Sequence, residues 1–310
     1  MLYLPSTKEL FLRMTLQDKY TETTNCTLCG HGPVSPYRKE SYPIMDGQVE
    51  LGLNQCPECS MRFTSPRLNN QGLTYLYNEG YQGKTVSGAY NTQDEVSAAE
   101  YEAFHRYIHQ CLPEGGTVLD VGCGVGLLLE RFKDDASILI EGIEYSEYAA
   151  EKARARGFKV AVGTLEAAGY PKDHFDAVTI LYVLEHVPNP RQVLTAIHEV
   201  LKPGGYLCLS VPNYRYLRLR GDNALIRAIN PKASIHPEEH LQNYTPATME
   251  RMVLDTGFTI HKREMAKPLR IGSPLVRAVK SCAHLGFSAM AALGYQMGGI
   301  HLIARKPDGT

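Results

Sequence analysis

Three glycines at alternate positions, Gly122, Gly124 and Gly126, are the residues of this 310-residue chain whose type and spacing point most directly to chemistry. They follow a short apolar run that ends near Asp120, and glycine lets a backbone approach a ligand without a Cβ clash. Nucleotide-binding folds place a second acidic residue about 20 positions further on, at the end of the next strand. Glu144 occupies that position. We therefore predict a nucleotide-type site in which Glu144 accepts hydrogen bonds from both ribose hydroxyls.

Four of the eight cysteines form two Cys-x-x-Cys pairs, Cys26 with Cys29 and Cys56 with Cys59. In a chain with no sign of secretion, this spacing fits tetrahedral zinc better than disulfides. Zinc held by both pairs would replace the hydrophobic core that about 60 residues cannot build alone. The alternative is four unligated, reduced thiols. We expect one structural zinc ion, since four thiolates leave no open position for a catalytic water.

The glycine spacing resembles motif I of class I S-adenosylmethionine-dependent methyltransferases. Gly126 comes one residue too early for the dinucleotide pattern Gly-x-Gly-x-x-Gly, and this tighter turn leaves no room for a pyrophosphate, which argues against a domain that binds NAD. The resemblance continues in family order through residues 142–153, 175–181, 183–190 and 201–207. It runs from about Glu95 to the C-terminus. It implies the fold and S-adenosylmethionine as cofactor, and it says almost nothing about the methyl acceptor.

The resemblance also implies which residues contact the cofactor. Asp120 and Gly122 would face its methionine end, Gly124 belongs to the same turn, and Glu144 would bind the ribose. The other expected contacts are Tyr145 flanking adenine, Thr164 and Leu165 just past the third strand, Leu181 at the end of the fourth strand, and Tyr81 before the core, which reaches the cofactor or covers it as a lid. For Tyr81 the alternative is aromatic packing between domains.

Methyl transfer from a sulfonium is an in-line displacement, so the protein must align the acceptor and, for a hydroxyl or carbon acid, remove a proton. His186 follows the fourth predicted strand and can titrate near neutral pH, which makes it the first candidate base. The alternative is that His186 only buttresses its loop. His240 is the second candidate, in a set that also contains His236, Glu238, Glu239 and Tyr244.

The turn that contains His186 also resembles the ubiquinone-biosynthetic O-methyltransferases, in which acidic residues and this histidine can bind a divalent metal. Tyr182 stands here where the pattern has an acid. That departure argues against a catalytic magnesium ion. After the fourth strand the chain also lacks the Asn/Asp-Pro-Pro-Tyr signature of amino-methyltransferases, which lowers nitrogen as the target atom.

A framework of alternating strands and helices must hold these residues in place. The alternation from residue 95 onward predicts a doubly wound, mostly parallel, seven-stranded Rossmann-like α/β sheet, with the seventh strand antiparallel by resemblance. We expect a helix at Glu95–Cys111, another opening at Leu127, a hairpin at Tyr37–Val49, and strands six and seven at Thr259–Met265 and Gly299–Ala304. The predicted organisation is a lead-in and zinc ribbon over residues 1–68, a linker or lid over 69–94, and a methyltransferase domain over 95–310 with substrate-cap insertions at 213–241 and 266–298.

The first insertion is locally basic. Between Asn213 and Lys232 it carries five basic residues against one acidic residue. The basic residues are Arg215, Arg218, Arg220, Arg227 and Lys232. Arginine pairs well with phosphate or carboxylate, so the insertion is suited to an anionic acceptor, and the alternative is a solvated helix face.

Composition limits the partners. The formal net charge of −1 offers no global field to attract nucleic acid. No N-terminal signal segment and no apolar run of the roughly 18 residues that a membrane span requires are present, so we expect a cytoplasmic chain without a membrane anchor. A homodimer is compatible with the sequence.

The leading functional interpretation is methylation of a small or carrier-linked metabolite, of sugar or natural-product type, at oxygen or carbon. One alternative is an RNA methyltransferase that uses the ribbon to bind nucleic acid, against which the neutral charge counts. The other is a non-catalytic cofactor-binding subunit. The identity of the acceptor does not follow from the sequence.

Overall fold

The structure is a computed structural model that describes residues 15–45, 47–81, 95–215, 236–265 and 299–309. Within these residues the helices, in chain order, are α1 (Leu16–Tyr20), α2 (Asn70–Tyr81), α3 (Glu95–Cys111), α4 (Glu147–Ala155), α5 (Pro190–Val200) and α6 (Pro246–Leu254). The strands are β1 (Thr21–Glu22), β2 (Arg38–Ile44), β3 (Gly47–Gln55), β4 (Arg62–Thr64), β5 (Arg67–Leu68), β6 (Gly116–Val121), β7 (Ile138–Glu144), β8 (Val160–Val162), β9 (Phe175–Leu181), β10 (Leu201–Val211), β11 (Gln242–Asn243), β12 (Thr259–Met265) and β13 (Ile300–Arg305).

The chain divides into two compact units. The first contains residues 1–89 and 236–242, and the second contains residues 90–235 and 243–310. The return of residues 236–242 to the first unit differs from the predicted organisation, in which this segment caps the sheet of the methyltransferase domain. The predicted second cap, residues 266–298, lies outside the described residues.

The first unit is built around the hairpin of β2 and β3, which pair antiparallel from Arg38↔Leu53 to Ile44↔Gly47. The hairpin was expected between the two cysteine pairs. Strand β4 continues the sheet, and residues 236–242 join it through Thr64, whose N–H donates to the Leu241 carbonyl at 3.0 Å. Leu241 is fully buried in the same cluster as Leu51 and Leu68. These contacts anchor the segment in the first unit.

Helix α2 occupies the first part of the predicted linker, and residues 82–94 lie outside the described part of the chain. Asn69 caps the start of α2, since the Asn69 side-chain oxygen accepts hydrogen bonds from the N–H groups of Gln71 and Gly72 at 3.0 and 3.1 Å. Leu73 and Leu76 are buried in the first unit's core beside Tyr20. The apolar contacts of this one helical face stabilise a helix of 12 residues in a segment that the sequence analysis predicts as a linker or lid.

The second unit has a seven-stranded sheet in the order β12-β13-β10-β9-β6-β7-β8. Strands β10, β9, β6, β7 and β8 run parallel to one another, whereas β13 runs antiparallel to both β10 and β12. The predicted fold class is confirmed. Helix α3 packs Phe104 and Ile108 into a core cluster with side chains of β6, β9, β10 and β13.

One predicted helix is absent. After Gly126 the described chain forms turns and a short 3₁₀ helix at Leu129–Phe132 in place of an α-helix. The Glu130 N–H donates to Gly126 in the α-helical pattern at 3.0 Å, but the Arg131 N–H already donates three residues back, to Leu128, at 3.0 Å. Leu129 and Phe132 are buried in two different core clusters. Because these contacts hold the segment in the 3₁₀ conformation, packing overrides the local preference for an α-helix.

Candidate active site

The glycine turn lies where β6 ends, at the carboxyl edge of the parallel strands, which is where open α/β sheets bind ligands. The N–H groups of Gly122 and Cys123 both donate to the Ile143 carbonyl, at 2.8 and 3.2 Å, and fasten the turn to β7. Gly122, Gly124 and Gly126 have φ angles of 74°, 54° and 81°. All three are in the left-handed region that favours glycine. A Cβ on Gly122 would also lie 2.3 Å from Val183 Cγ2.

Glu144 ends β7 as predicted and is buried. Its Oε2 accepts from the Gly124 N–H at 2.8 Å, and its Oε1 accepts from the Ser146 N–H at 2.8 Å. Burial raises the pKa of Glu144, and the backbone hydrogen bonds oppose this effect. Each carboxylate oxygen has a second lone pair, so this side chain can hold the turn and still accept from two ligand hydroxyls.

Asp120 lies on β6, next to β9, and is buried. Thr179 Oγ1 donates to Asp120 Oδ1 at 2.5 Å. Burial raises the pKa of Asp120 to about 7, the Thr179 hydrogen bond opposes the shift, and the charge of Glu144 adds to it. A buried carboxyl with this pKa gains a proton easily in the absence of a ligand, and a cationic ligand would return it to the ionised form.

The remaining predicted cofactor residues are distributed around this turn in different environments. Tyr145 follows Glu144 and is 60% exposed. Thr164 is exposed beside buried Leu165, just past β8. Leu181 is half-buried against the core cluster of α3. Tyr81 ends α2, and its side chain lies outside the described part of the chain.

The turn after β9 holds a second group of ionisable side chains. Glu185 is buried, and burial raises its pKa to about 8. Its Oε2 has no hydrogen-bond partner within the described residues. His186 is partly exposed, with Nε2 3.8 Å from Glu185 Oε1. Tyr244 is buried in the same unit, and its hydroxyl donates to the Leu184 carbonyl at 3.3 Å. An acid and an imidazole in this position can exchange a proton with a bound molecule.

A carboxylate that the sequence analysis missed lies beside Tyr182. Glu100 Oε1 accepts from the Tyr182 hydroxyl at 2.5 Å, and His301 Nε2 lies 3.6 Å from the same oxygen. Tyr182 has a φ of 57°, an uncommon conformation for a bulky residue. Helix α3 thus supplies an acid next to the position where the family pattern has one. Glu100 precedes buried Phe104 by one helical turn, and this shared face is the signal that could have identified it.

His240, the second candidate base, lies in the first unit. Its N–H donates to the His236 carbonyl at 2.7 Å, and its own carbonyl accepts from Thr64 Oγ1 at 3.1 Å. His236 Nδ1 and Glu238 Oε1 are 3.3 Å apart in the same turn. The turn 236–240 is therefore bonded to the first unit, whereas the sequence analysis places it in an insertion of the methyltransferase domain.

The four predicted zinc ligands converge. Sγ atoms of Cys26, Cys29, Cys56 and Cys59 all lie within 4.8 Å of one another. Zn–S bonds of about 2.3 Å in a tetrahedron require S–S separations of about 3.8 Å, so this arrangement fits one ion. In each loop the first cysteine closes two backbone hydrogen bonds, as in Gly30 N–H to Cys26 at 2.8 Å and Ser60 N–H to Cys56 at 3.0 Å. The cluster is consistent with structural zinc.

Comparison with known proteins agrees with this geometry. The family model described as "Methyltransferase domain" matches residues 94–263, which is more than half of the chain. A ubiquinone biosynthesis O-methyltransferase of Alkalilimnicola ehrlichii is 38% identical over 116 residues, covering 34% of this chain and 47% of that protein. The homonymous enzyme of Vibrio atlanticus is 27% identical over 176 residues, covering 51% of this chain and 72% of that protein. The chain thus spans about half the length of the first of these relatives.

A solved structure supports the fold independently. A Pyrococcus horikoshii protein aligns with a TM-score of 0.50 and 17% identity, covering 74% of this chain and 99% of that protein.

No helix among the described residues is long and apolar enough to cross a bilayer. The family match, the strand order and the glycine turn closed by Glu144 together place this chain among the class I methyltransferases, whose cofactor is S-adenosylmethionine.

Proposed function

We propose that this chain transfers the methyl group of S-adenosylmethionine to an oxygen of a small-molecule acceptor. The observation that carries the proposal is the glycine turn whose Gly124 N–H donates to buried Glu144, with buried Asp120 on the adjacent strand. Oxygen is favoured over carbon because the relatives at 38% and 27% identity are O-methyltransferases of ubiquinone biosynthesis. When bound, S-adenosylmethionine supplies a methyl group on a positive sulfur, which needs little further electronic activation.

In this proposal the chain's residues bind and orient. Glu144 accepts from both ribose hydroxyls while it holds the Gly124 N–H. Asp120 accepts from the cationic amino end, and ionisation of its raised-pKa carboxyl accompanies binding. Exposed Tyr145 flanks the adenine, and Thr164 and Leu165 border it. Leu181 and Tyr81 complete the set of contacts, with Tyr81 as a cover.

The acceptor proton goes to His186. The support is its position beyond β9, its partial exposure, and the neighbouring buried carboxyl of Glu185, whose Oε1 lies 3.8 Å from His186 Nε2. His186→Ala should lower turnover by about 10²–10⁴-fold while the affinity for S-adenosylmethionine stays unchanged. His174→Ala is the matched control, because His174 is exposed and precedes β9 at the opposite edge of the sheet. Normal turnover in His186→Ala would transfer the role to Glu185 or His240.

The acceptor is small, and the basic insertion supports an anionic one. Arg215 is exposed, whereas Arg218, Arg220, Arg227 and Lys232 lie outside the described residues. Neutralising Arg215, Arg218 and Arg220 should raise KM and flatten its dependence on salt. A KM that responds to neither change would contradict an anionic acceptor and leave the methyl transfer itself intact.

The zinc role is structural in this proposal. Cys26, Cys29, Cys56 and Cys59 would hold the ion and cross-link two loops of the first unit, with no position left for water. No observation favours an RNA methyltransferase or a non-catalytic subunit.

The direct test uses the purified chain with methyl-labelled S-adenosylmethionine and a panel of hydroxyl-bearing small molecules. Each hydroxyl compound is paired with its own methyl ether as a blocked control. We expect label in an ether product that appears only with an unblocked hydroxyl. Label on carbon, or cofactor binding without transfer to any member of a metabolite extract, would contradict the proposal.

A further inference from the structure

Two histidines and one aspartate converge at the edge of the sheet opposite the glycine turn. His105 and His109 lie four residues apart near the end of α3, which places them on one helix face. Asp135 lies in the loop before β7, whose other end carries Glu144. One ligand atom from each of the three side chains lies within 4.8 Å of the others, and each side chain is partly exposed. None of them takes part in the proposed methyl transfer.

The aspartate is oriented by its own loop. The Ser137 N–H and Oγ both donate to Asp135 Oδ1, at 2.9 and 2.6 Å. This leaves Asp135 Oδ2 directed at the histidines, 2.9 Å from His109 Nε2. Outer hydrogen bonds that fix a carboxylate in this way are a regular feature of metal sites, because they set the direction of the ligating oxygen before the ion arrives.

The histidine rings are held by packing. His105 and His109 meet edge-on with ring centroids 4.6 Å apart, and the His105 ring lies 4.7 Å from the ring of Phe132. Metal–nitrogen and metal–oxygen bonds of about 2.0–2.2 Å in a tetrahedron require ligand atoms about 3.4 Å apart. The ligand atoms of the three side chains all lie within 4.8 Å of one another, and His109 Nε2 is 2.9 Å from Asp135 Oδ2, so their spacing is compatible with one shared ion.

We propose that His105, His109 and Asp135 bind one divalent transition-metal ion such as Zn²⁺. Two imidazoles and a carboxylate are ligands that Zn²⁺ accepts, and water fills the fourth position. The ion would clamp the last turns of α3 to the loop that leads into β7. This site is separate from the four-cysteine cluster and from methyl transfer, so it goes beyond the proposed function.

The test counts zinc on the full chain. The wild type, the His105→Gln/His109→Gln double variant and Asp135→Asn are dialysed against the same Zn²⁺ concentration, and bound zinc per chain is measured by elemental analysis. We expect the double variant to hold one equivalent less than the wild type. Because the cysteines are the same in all these chains, zinc bound by the cysteines does not change the difference in zinc count between variant and wild type. His198→Gln is the matched control, because His198 also packs edge-on against an aromatic ring, that of Phe258, at 5.0 Å.

Asp135→Asn guards against a folding artefact. The asparagine keeps the oxygen that accepts from Ser137 and leaves both histidine rings in place, so this variant should fold. Its zinc dissociation constant should rise by at least about tenfold, because even the loss of a group that only hydrogen-bonds to a metal ligand costs about that much affinity. Titration of Co²⁺ onto chain that carries a single equivalent of Zn²⁺, which the four cysteines take first, should add visible bands without a thiolate charge-transfer band. Equal zinc counts in the wild type and the double variant, an unchanged affinity in Asp135→Asn, or equal loss in His198→Gln would each overturn the proposal.

Discussion

Gly122→Ala should be the most informative single change in the glycine turn. Alanine at a φ of 74° costs about 1–2 kcal/mol, because L-residues disfavour the left-handed region. The new methyl group would also meet Val183 Cγ2 at 2.3 Å, and such overpacking costs about 1–3 kcal/mol. The two contributions together lower the free energy of unfolding by about 2–5 kcal/mol.

Two further variants separate the contributions. Gly169 has a φ of 69°, and a Cβ there would meet nothing within 4 Å, so Gly169→Ala should cost only the backbone share of about 1–2 kcal/mol. Val183→Ala removes the clashing atom, so adding Gly122→Ala to that background should also cost only about 1–2 kcal/mol. Urea unfolding of the four variants and the wild type measures every term of this cycle.

The cofactor affinity supplies a second readout. Gly122→Ala should weaken S-adenosylmethionine binding, because the turn that carries the Gly124 N–H must shift, whereas Gly169→Ala should not. The reasoning is refuted if Gly122→Ala costs no more than Gly169→Ala, or if Val183→Ala gives no relief.

Two other predictions follow from buried acids and thiols. Burial and the charge of Glu144 raise the pKa of Asp120 from 3.8 to about 7 in the folded, cofactor-free chain, so the folded state keeps a proton that the unfolded state has lost. The free energy of unfolding should therefore fall as pH rises from about 4 to about 7, by about 1.6 kcal/mol between pH 5.5 and 7, because the slope of about 1.4 kcal/mol per unit declines as the pKa is approached. Asp120→Asn should abolish this part of the slope in urea unfolding at both pH values. A slope that is the same in Asp120→Asn would show that another group causes it. Cys26→Ser should lower bound zinc by one equivalent and lower the thermal midpoint, as measured by elemental analysis and calorimetry, whereas Cys111→Ser, outside the cluster, should keep the zinc. A Cys26→Ser chain that retains both metal and fold would exclude the structural zinc site.

Local pattern was sufficient to predict most of the second unit. Strands β6, β7 and β9 are short apolar runs, and the sequence predicted the end of β6 near Asp120, the end of β7 at Glu144 and β9 over residues 175–181. Glu144 was predicted because it lies about 20 residues after the glycine turn, at the end of the next strand. Pairing with neighbours on both sides leaves such strands little freedom to form anything else.

Contacts between residues distant in sequence could not be predicted. Residues 236–242 join the first unit because Leu241 is buried there and its carbonyl pairs with the Thr64 N–H, and nothing within the segment itself encodes that partner. The Tyr182–Glu100 hydrogen bond spans 82 positions. The sequence around Tyr182 therefore lacks the acidic residue of the family pattern, although Glu100 of helix α3 lies beside Tyr182 in the structure.

Local propensity failed where packing decided the outcome. The leucines after Gly126 have a strong preference for α-helix, yet burial of Leu129 and Phe132 in separate clusters holds them in a 3₁₀ segment. Helix α2 shows the opposite case, since a segment rich in asparagine and glycine becomes helical once Leu73 and Leu76 find a core. In both segments tertiary contacts outweigh differences of a few tenths of a kcal/mol per residue, roughly the scale of helix propensities.

The central claim is that the glycine turn and Glu144 bind S-adenosylmethionine, and calorimetric titration of the full chain tests it most directly. We predict one site per chain, weakened by about 1.5–3 kcal/mol in Glu144→Ala, the range for hydrogen bonds to a charged group. Glu147→Ala, three residues away on an exposed face of α4, should bind as the wild type does. Absence of binding to the wild type, or equal affinity in Glu144→Ala and Glu147→Ala, would contradict the account.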